Sequence, residues 1–346
     1  MIRNILEIFD CATPPLLVAE VGLAHEGSLG LAHKFIEAVA STGAEAIKFQ
    51  THIANAESSP QEQFRQQFSY QDATRYDYWE RTSFSQAQWS ELKKHAEEKN
   101  LIFLSSPFSA EAVRLLEALG IVAWKVGSGE VGSRRMLEEM AATGKPIIAS
   151  TGMSSWDEVM SLEQILQRIA PKRHVILQCT TEYPTQPHSV GMNIFDNYYS
   201  ALACPVGLSD HSGTIWPSLI ASSRGARFLE VHVTLSPYLF GPDIASSLDI
   251  EHLDQLSRGI RFVHDMLKNP MDKDRSAAEK VPLKKLFGKS AMALRHLEAG
   301  ESLDESMVSF RKPGIGITES EFDELIGRKL SKNIQQNSFL TLEDIQ

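Results

Sequence analysis

The sequence predicts a closed (β/α)8 barrel, the TIM-barrel class, followed by a small β-rich C-terminal domain. Eight short apolar runs alternate with amphipathic segments from residue 16 to about residue 267. That span suits a barrel, which takes roughly 250 residues. Beyond residue 285 the pattern changes to short β-like pieces joined by glycine-containing turns. A doubly wound parallel sheet is the alternative, and the count of eight favours the barrel.

The strand-like runs are LLVAEVG (16–22), EAIKFQT (45–51), LIFLSS (101–106), IVAWKVG (121–127), KPIIAST (145–151), HVILQCT (174–180), CPVGLSD (204–210) and RFLEVHVT (227–234). Helical segments include 29–42, 85–99, 109–119, 155–169, 216–225 and 249–267. Ser85, Ser109 and Asp249 each precede one of them and supply a side-chain oxygen for the free N–H groups of a first turn. Residues 268–285, KNPMDKDRSAAEKVPLKK, carry charge, two prolines and no apolar period, and read as a linker. The expected division is a catalytic barrel at 1–267, a linker at 268–285 and a small domain at 286–346, with one short helix at about 319–327.

With 42% hydrophobic and 23% charged residues, the 346-residue chain belongs with soluble globular proteins. A formal net charge of −10 argues against nucleic acid or an acidic membrane as partner. Any anionic ligand must therefore be met by a local basic cluster. Cys11, Cys179 and Cys204 form neither an even disulfide framework nor a zinc spacing, so reduced thiols in the cytoplasm are expected. Arg3, Glu7 and Asp10 interrupt any secretory apolar core, and no apolar run reaches the roughly 18 residues of a membrane span.

Alternation along a barrel strand sends every second residue into the lumen, and chemistry gathers at the strands' C-terminal ends. On that phase Glu20, Lys48, Gln50, Lys125, Glu230 and His232 face inward, and Asp210 and His211 arrive at the same rim. Singly, a lysine there is a solvated tip and a histidine a satisfied core residue. Together, in phase, they point to a site. His211 and His232 suit one divalent cation with positions left open, being too few for a closed structural zinc site. Lys48 and Lys125 suit an anion, beside Ser106, Ser150 and the GSGE stretch with Ser128 and Glu130. The chemistry implied is a phosphorylated or carboxylated substrate meeting a carbonyl that the metal polarises.

These residues resemble, in this order, the sialic acid (N-acetylneuraminate) synthase family. The likeness runs through AEVGLAHEGSLGLA (19–32), GAEAIKFQTH (43–52), FLSSPFS (103–109), WKVGSGE (124–130), PIIASTGMSS (146–155), QCTTEYPT (178–185), GLSDHSG (207–213) and GPDIASSLD (241–249). GKSAMALRHLEAGESL (288–303) and KPGIGI (312–317) resemble that family's antifreeze-like (SAF) domain. The resemblance implies condensation of phosphoenolpyruvate with N-acetylmannosamine or a related acylamino-hexose, with release of phosphate by C–O cleavage. It implies Mn2+, with Mg2+ or Co2+ as substitutes, on His211 and His232. Lys48, Gln50, Lys125, Ser128 and Ser150 match positions for phosphoenolpyruvate, and Glu20 and Glu130 match carboxylates near the reacting centre. Asp243 matches an acceptor contact, and Ser106 and Tyr183 join the expected substrate-binding residues. A domain-swapped homodimer follows from the same likeness, with Arg311 or Lys312 of one copy touching the sugar's acyl group.

Three positions depart from that family: Ala24 replaces a frequent asparagine, Val231 a frequent basic residue, and Lys312 a frequent arginine. Segment 56–80 reads as a substrate-covering lid or a dimer contact. The readings left beside the first are a legionaminic-acid-type synthase using a 2,4-diacetamido-trideoxyhexose, a catalytically weakened sugar-binding homologue, and an aldol-type synthase acting on a sugar phosphate.

Overall fold

Strand and helix alternate in the order β1 (Leu16–Gly22), α1 (Leu29–Ala40), β2 (Ala46–Thr51), α2 (Ala54–Glu57), α3 (Arg75–Thr82), α4 (Gln86–Glu98), β3 (Ile102–Pro107), α5 (Ala110–Leu119), β4 (Trp124–Val126), α6 (Arg134–Ala142), β5 (Ile147–Ser150), α7 (Trp156–Ile169), β6 (His174–Cys179), α8 (Met192–Ala201), β7 (Val206–Asp210), α9 (Trp216–Ser223), β8 (Phe228–His232) and α10 (Ile250–Lys268). The structure, a computed structural model, describes residues 2–64 and 68–346. The eight strands pair in the order β3-β2-β1-β8-β7-β6-β5-β4, and β3 packs beside β4, closing the barrel. A doubly wound sheet would reverse direction at a switch point, and this order has none. The predicted caps form: the Ser85 and Ser109 hydroxyls accept from Gln88 N and Ala112 N, and the Asp249 carboxylate from His252 N.

The strand phase read from the sequence holds. Leu17, Ala19, Val21 and Val231 join Phe35, Ile36 and Val39 of α1 in the apolar layer between sheet and helices. Val18, Ala46, Leu104, Ala123, Ile148, Val175, Leu177 and Phe228 fill the lower lumen. Ile5 and Ile8, from a 3-10 turn at Ile5–Phe9, join that lumen cluster. Arg227, just before β8, anchors this N-terminal segment by donating to the carbonyls of Glu7, Ile8, Asp10 and Thr13. Only the upper lumen is left for polar side chains.

The chain folds as two compact units, Met1–Lys268 and Asn269–Gln346. Residues 268–285, expected to be an irregular linker, carry two short helices, α11 (Lys273–Glu279) and α12 (Val281–Phe287). Asp272 caps the first through the N–H groups of Asp274 and Arg275. Pro282 stands in the first turn of the second, where a missing N–H breaks no helical bond. In the C-terminal unit β9 (Ser290–Ala293) pairs antiparallel with β10 (Val308–Arg311), and isolated bridges such as Leu297 with Ile334 extend the β character. Ala291, Ala293, Leu303, Ile317, Phe322 and Leu340 belong to its core, with α13 (Glu319–Leu325) capped by Thr318.

Segment 56–80 contains the end of α2 and most of α3, and its residues 65–67 lie outside the described residues. Tyr78 and Trp79 pack with Leu23 and Ala54 in a small cluster of their own. No helix among the described residues is long and apolar enough to cross a membrane.

Candidate active site at the barrel mouth

Parallel register sets Glu20 of β1 beside Lys48 of β2 on one side and His232 of β8 on the other. All three side chains are buried in the lumen above the apolar plug. Lys48 Nζ lies 2.8 Å from Glu20 Oε2 and 3.7 Å from Glu230 Oε2, and donates to Ser106 Oγ at 3.0 Å. Lys125 Nζ lies 3.2 Å from Glu230 Oε1 and donates to Ser150 Oγ at 2.8 Å. Gln50 Nε2 donates to Glu20 Oε1 at 2.8 Å, and Ser209 Oγ to Glu230 Oε1 at 3.1 Å. Two ammonium and two carboxylate groups thus sit in one buried network, which is tolerable only because they neutralise one another.

The environments differ within it. Burial pushes the Glu20 carboxyl up, and Glu230 adds to the effect against Lys48. For Glu230, burial is outweighed by Lys125 and Lys48, which hold it down to about 2. Burial depresses Lys125, with Glu230 opposing; at Lys48 burial pulls the same way but Glu20 and Glu230 outweigh it. Glu230 is thus the fixed anion between the lysines. Its alternation was legible in the sequence, but its part in holding Lys125 was not.

His211 follows β7 and lies with its ring centroid 5.2 Å from that of His232. His211 Nδ1 donates to Thr180 O at 2.8 Å, which leaves the Nε2 lone pair facing the Tyr183 hydroxyl at 3.2 Å. Tyr183 also stacks on the ring, with centroids 4.2 Å apart. Burial, then the neighbouring His232, holds the His211 imidazole down to about 3, so it stands neutral as a ligand must. His232 Nδ1 is buried without a hydrogen bond, 3.7 Å from Asp243 Oδ2. Two neutral or unpartnered imidazole nitrogens in one polar pocket fit a divalent cation with open positions.

Of the remaining expected residues, Ser128 Oγ accepts from Gly152 N at 2.9 Å and lies 3.7 Å from Cys179 Sγ. Glu130 is half-buried and accepts from Ser133 Oγ at 3.3 Å. Burial first, and then Glu57, push its carboxyl up. Arg311 and Lys312 belong to the C-terminal unit, where Arg311 Nε donates to Ser309 Oγ and Lys312 Nζ lies 5.4 Å from the Phe287 ring. Among the described residues, three metal-ligand types converge elsewhere. Glu163 of α7, His174 at the start of β6 and Cys204 place ligand atoms within 4.8 Å of one another. There His174 Nε2 and Glu163 Oε2 are already paired at 2.7 Å, at the strand's N-terminal end, away from the mouth.

His25, in the loop after β1, escaped the sequence reading because it lies outside a strand and has no phase. It is fully buried against Phe84, with centroids 4.6 Å apart, and its Nδ1 accepts from Gly27 N. Burial, then His52, hold it down to about 3. A depressed histidine stabilises the fold above its unfolded value of 6.5, and that stability is lost as pH falls toward 3. Urea unfolding should show His25→Phe losing about 2 kcal/mol less than the parent between pH 6.5 and about 5. Equal losses in both proteins would contradict a neutral buried His25.

A family model described as "NeuB family" matches residues 35–272, and one described as "SAF domain" matches 288–346. The chain is 31% identical over 333 residues to the N,N'-diacetyllegionaminic acid synthase of Campylobacter jejuni subsp. jejuni, across 94% of this chain and 98% of that protein. It is 30% identical over 341 residues to the N-acetylneuraminate-9-phosphate synthase of Homo sapiens, across 95% and 92%. Among solved structures, N-acetylneuraminic acid (sialic acid) synthetase from Leptospira borgpetersenii serovar Hardjo-bovis, in complex with citrate, matches with a TM-score of 0.69 at 25% identity. That match covers 79% of this chain and 92% of the other.

Proposed function

The chain belongs to the NeuB family and is an enzyme of that synthase type, and we propose that it condenses phosphoenolpyruvate with an acylamino-hexose to form a nonulosonic acid. The observation that supports this most is the buried pair of lysines beside two histidines at one barrel mouth.

Lys48 and Lys125 grip the carboxylate and phosphate of phosphoenolpyruvate, with Ser106, Ser128 and Ser150 as further donors. The incoming anion competes with Glu20 and Glu230 for the ammonium groups. Glu20, already pushed up by burial, is the carboxyl that takes a proton and frees Lys48, whereas Glu230 stays ionised. Asp243 and Tyr183 orient the acceptor in its open-chain form. His211 and His232 would hold the divalent cation, Mn2+ by preference, which supplies polarisation of the acceptor's aldehyde. Carbon 3 of phosphoenolpyruvate attacks that aldehyde carbon, water adds at carbon 2, and the tetrahedral centre expels phosphate. Glu130 is the proton-handling group for this sequence, its carboxyl raised by burial and by Glu57 so that it holds a proton more readily than a free glutamate.

N-acetylmannosamine is one acceptor to test, and the likeness to a diacetyllegionaminic acid synthase favours adding a 2,4-diacetamido-trideoxyhexose. The reading includes a cytoplasmic, domain-swapped homodimer in which Arg311 or Lys312 reaches the partner's acceptor site. Protein supplied with Mn2+, phosphoenolpyruvate and a panel of acylamino sugars should release phosphate in step with a keto acid whose mass is that of the sugar plus pyruvic acid. Silence with every 2-acetamido and 2,4-diacetamido hexose would overturn the proposal.

A further inference from the structure

We propose that His52, clamped between two aromatic rings and tied to Glu57, is a positioning residue that orients the Gln50 amide and through it the Glu20–Lys48 pair. The inference rests on the reading of Gln50 and Lys48 as phosphoenolpyruvate-binding residues.

His52 follows β2 directly and is buried. Trp79 of α3 lies on one face, with centroids 3.9 Å apart and planes 3° from parallel. Phe108, just beyond β3, lies on the other at 4.2 Å and 12°. The ring is therefore held against rotation, and its two nitrogens point along fixed directions. Nδ1 lies 2.5 Å from Glu57 Oε1, and Nε2 lies 3.2 Å from Gln50 Oε1. The other Glu57 oxygen accepts from Ile53 N at 3.3 Å, so the carboxylate is itself anchored to α2's first turn.

Donor and acceptor roles follow from the carboxylate at the far end. While Glu20 is ionised against Lys48 its Oε1 can only accept, so the Gln50 group 2.8 Å away is the NH2. The Gln50 carbonyl oxygen then faces His52, whose Nε2 must carry a hydrogen. A flipped amide would set its oxygen against the Glu20 carboxylate and its NH2 against the His52 N–H, losing both bonds. The run Glu57–His52–Gln50–Glu20–Lys48 thus reaches from the rim to the buried ammonium, and both links made by the Gln50 amide have a fixed direction. Without His52 the amide is free to turn, and Glu20 loses the donor that holds it beside Lys48. This also assigns work to the segment after β2: Glu57 and Trp79, from two of its helices, fix His52.

A ring that only fills space between Trp79 and Phe108 would be replaced without loss by phenylalanine. The test is therefore a double-mutant cycle on His52→Phe and Gln50→Ala, read as kcat/KM for phosphoenolpyruvate from phosphate release, with thermal midpoints measured alongside. His52→Phe alone should lower kcat/KM roughly ten-fold. In the Gln50→Ala background it should change kcat/KM by less than about two-fold, because no amide remains to orient. Full activity of His52→Phe, or the same loss in both backgrounds, overturns the inference. If His52→Phe does not fold, Glu57→Leu removes the ring's anchor and should give the same loss with the same silence after Gln50→Ala. Should the unmodified protein turn over no acylamino sugar, the functional reading fails by itself. Calorimetric affinity for phosphoenolpyruvate across the same four proteins then decides the inference on the same pattern.

Discussion

A protein with His211 and His232 both changed to alanine is expected to lose its divalent cation and on the order of a thousand-fold or more of its turnover, while keeping its fold. The two rings are neighbours in the pocket, with centroids 5.2 Å apart, beside the network of lysines and glutamates. His211 Nδ1 is committed to Thr180 O, so its one ring lone pair, on Nε2, faces the pocket and the Tyr183 hydroxyl at 3.2 Å. His232 Nδ1 has no hydrogen bond to lose. Removing both rings therefore costs the His211 contacts to Thr180 O and Tyr183 and no hydrogen bond of His232 Nδ1. Metal content after equilibration with Mn2+, measured with phosphate release and thermal unfolding, checks the prediction. The control is Cys204→Ala, which dismantles the Glu163–His174–Cys204 group and should leave both metal-dependent activity and fold in place. Activity that survives the double histidine change would show the assigned metal role to be wrong.

Lys48→Met should lower kcat/KM for phosphoenolpyruvate by on the order of a hundred-fold or more and destabilise the fold by about 3–5 kcal/mol. The change leaves the buried Glu20 without the ammonium 2.8 Å away, with Glu230 as a like-charged neighbour. The Glu20 carboxyl is already raised, and losing Lys48 raises it further. A carboxyl raised in the folded state favours folding at low pH, and that advantage is lost as pH climbs through its folded value. The destabilisation should therefore be larger at pH 8 than at pH 5 in urea titrations. Adding Glu20→Gln to Lys48→Met removes the stranded charge, so stability should return in large part while kcat/KM stays low. If kcat/KM returned together with stability, Lys48 would be a structural counter-ion only.

Much of this site was legible before the fold was known, because strand alternation is a local rule. Once Val231 and Val233 are read as helix-facing, Glu230 and His232 must face the lumen, and Val231 does lie in the outer apolar layer. The absence of a charge at Val231 therefore takes nothing from the lumen. Residues outside the strands were harder. His25 and His52 sit in loop positions where no phase exists, and their roles depend on Phe84, Trp79 and Phe108, which are distant in sequence. The 3-10 turn at Ile5–Phe9 was missed for the same reason, since its two apolar residues have meaning only inside a closed barrel. The two helices that begin within 268–285 were missed because each has only seven residues, too few to repeat a helical period, and a proline stands in the second.

By itself the sequence determined the eight alternating strands, the inward set Glu20, Lys48, Gln50, Lys125, Glu230 and His232, and the resemblance to a synthase family. Each of these depends on periodicity or on short motifs, which are properties of neighbouring residues. Only the tertiary structure decided how the charges are shared: Glu230 bridging toward both lysines, Glu20 raised beside it, and His52 locked onto Gln50. The reason is physical. Burial and Coulomb interaction depend on distances of a few ångströms across strands and loops, and those distances exist only once the barrel has closed.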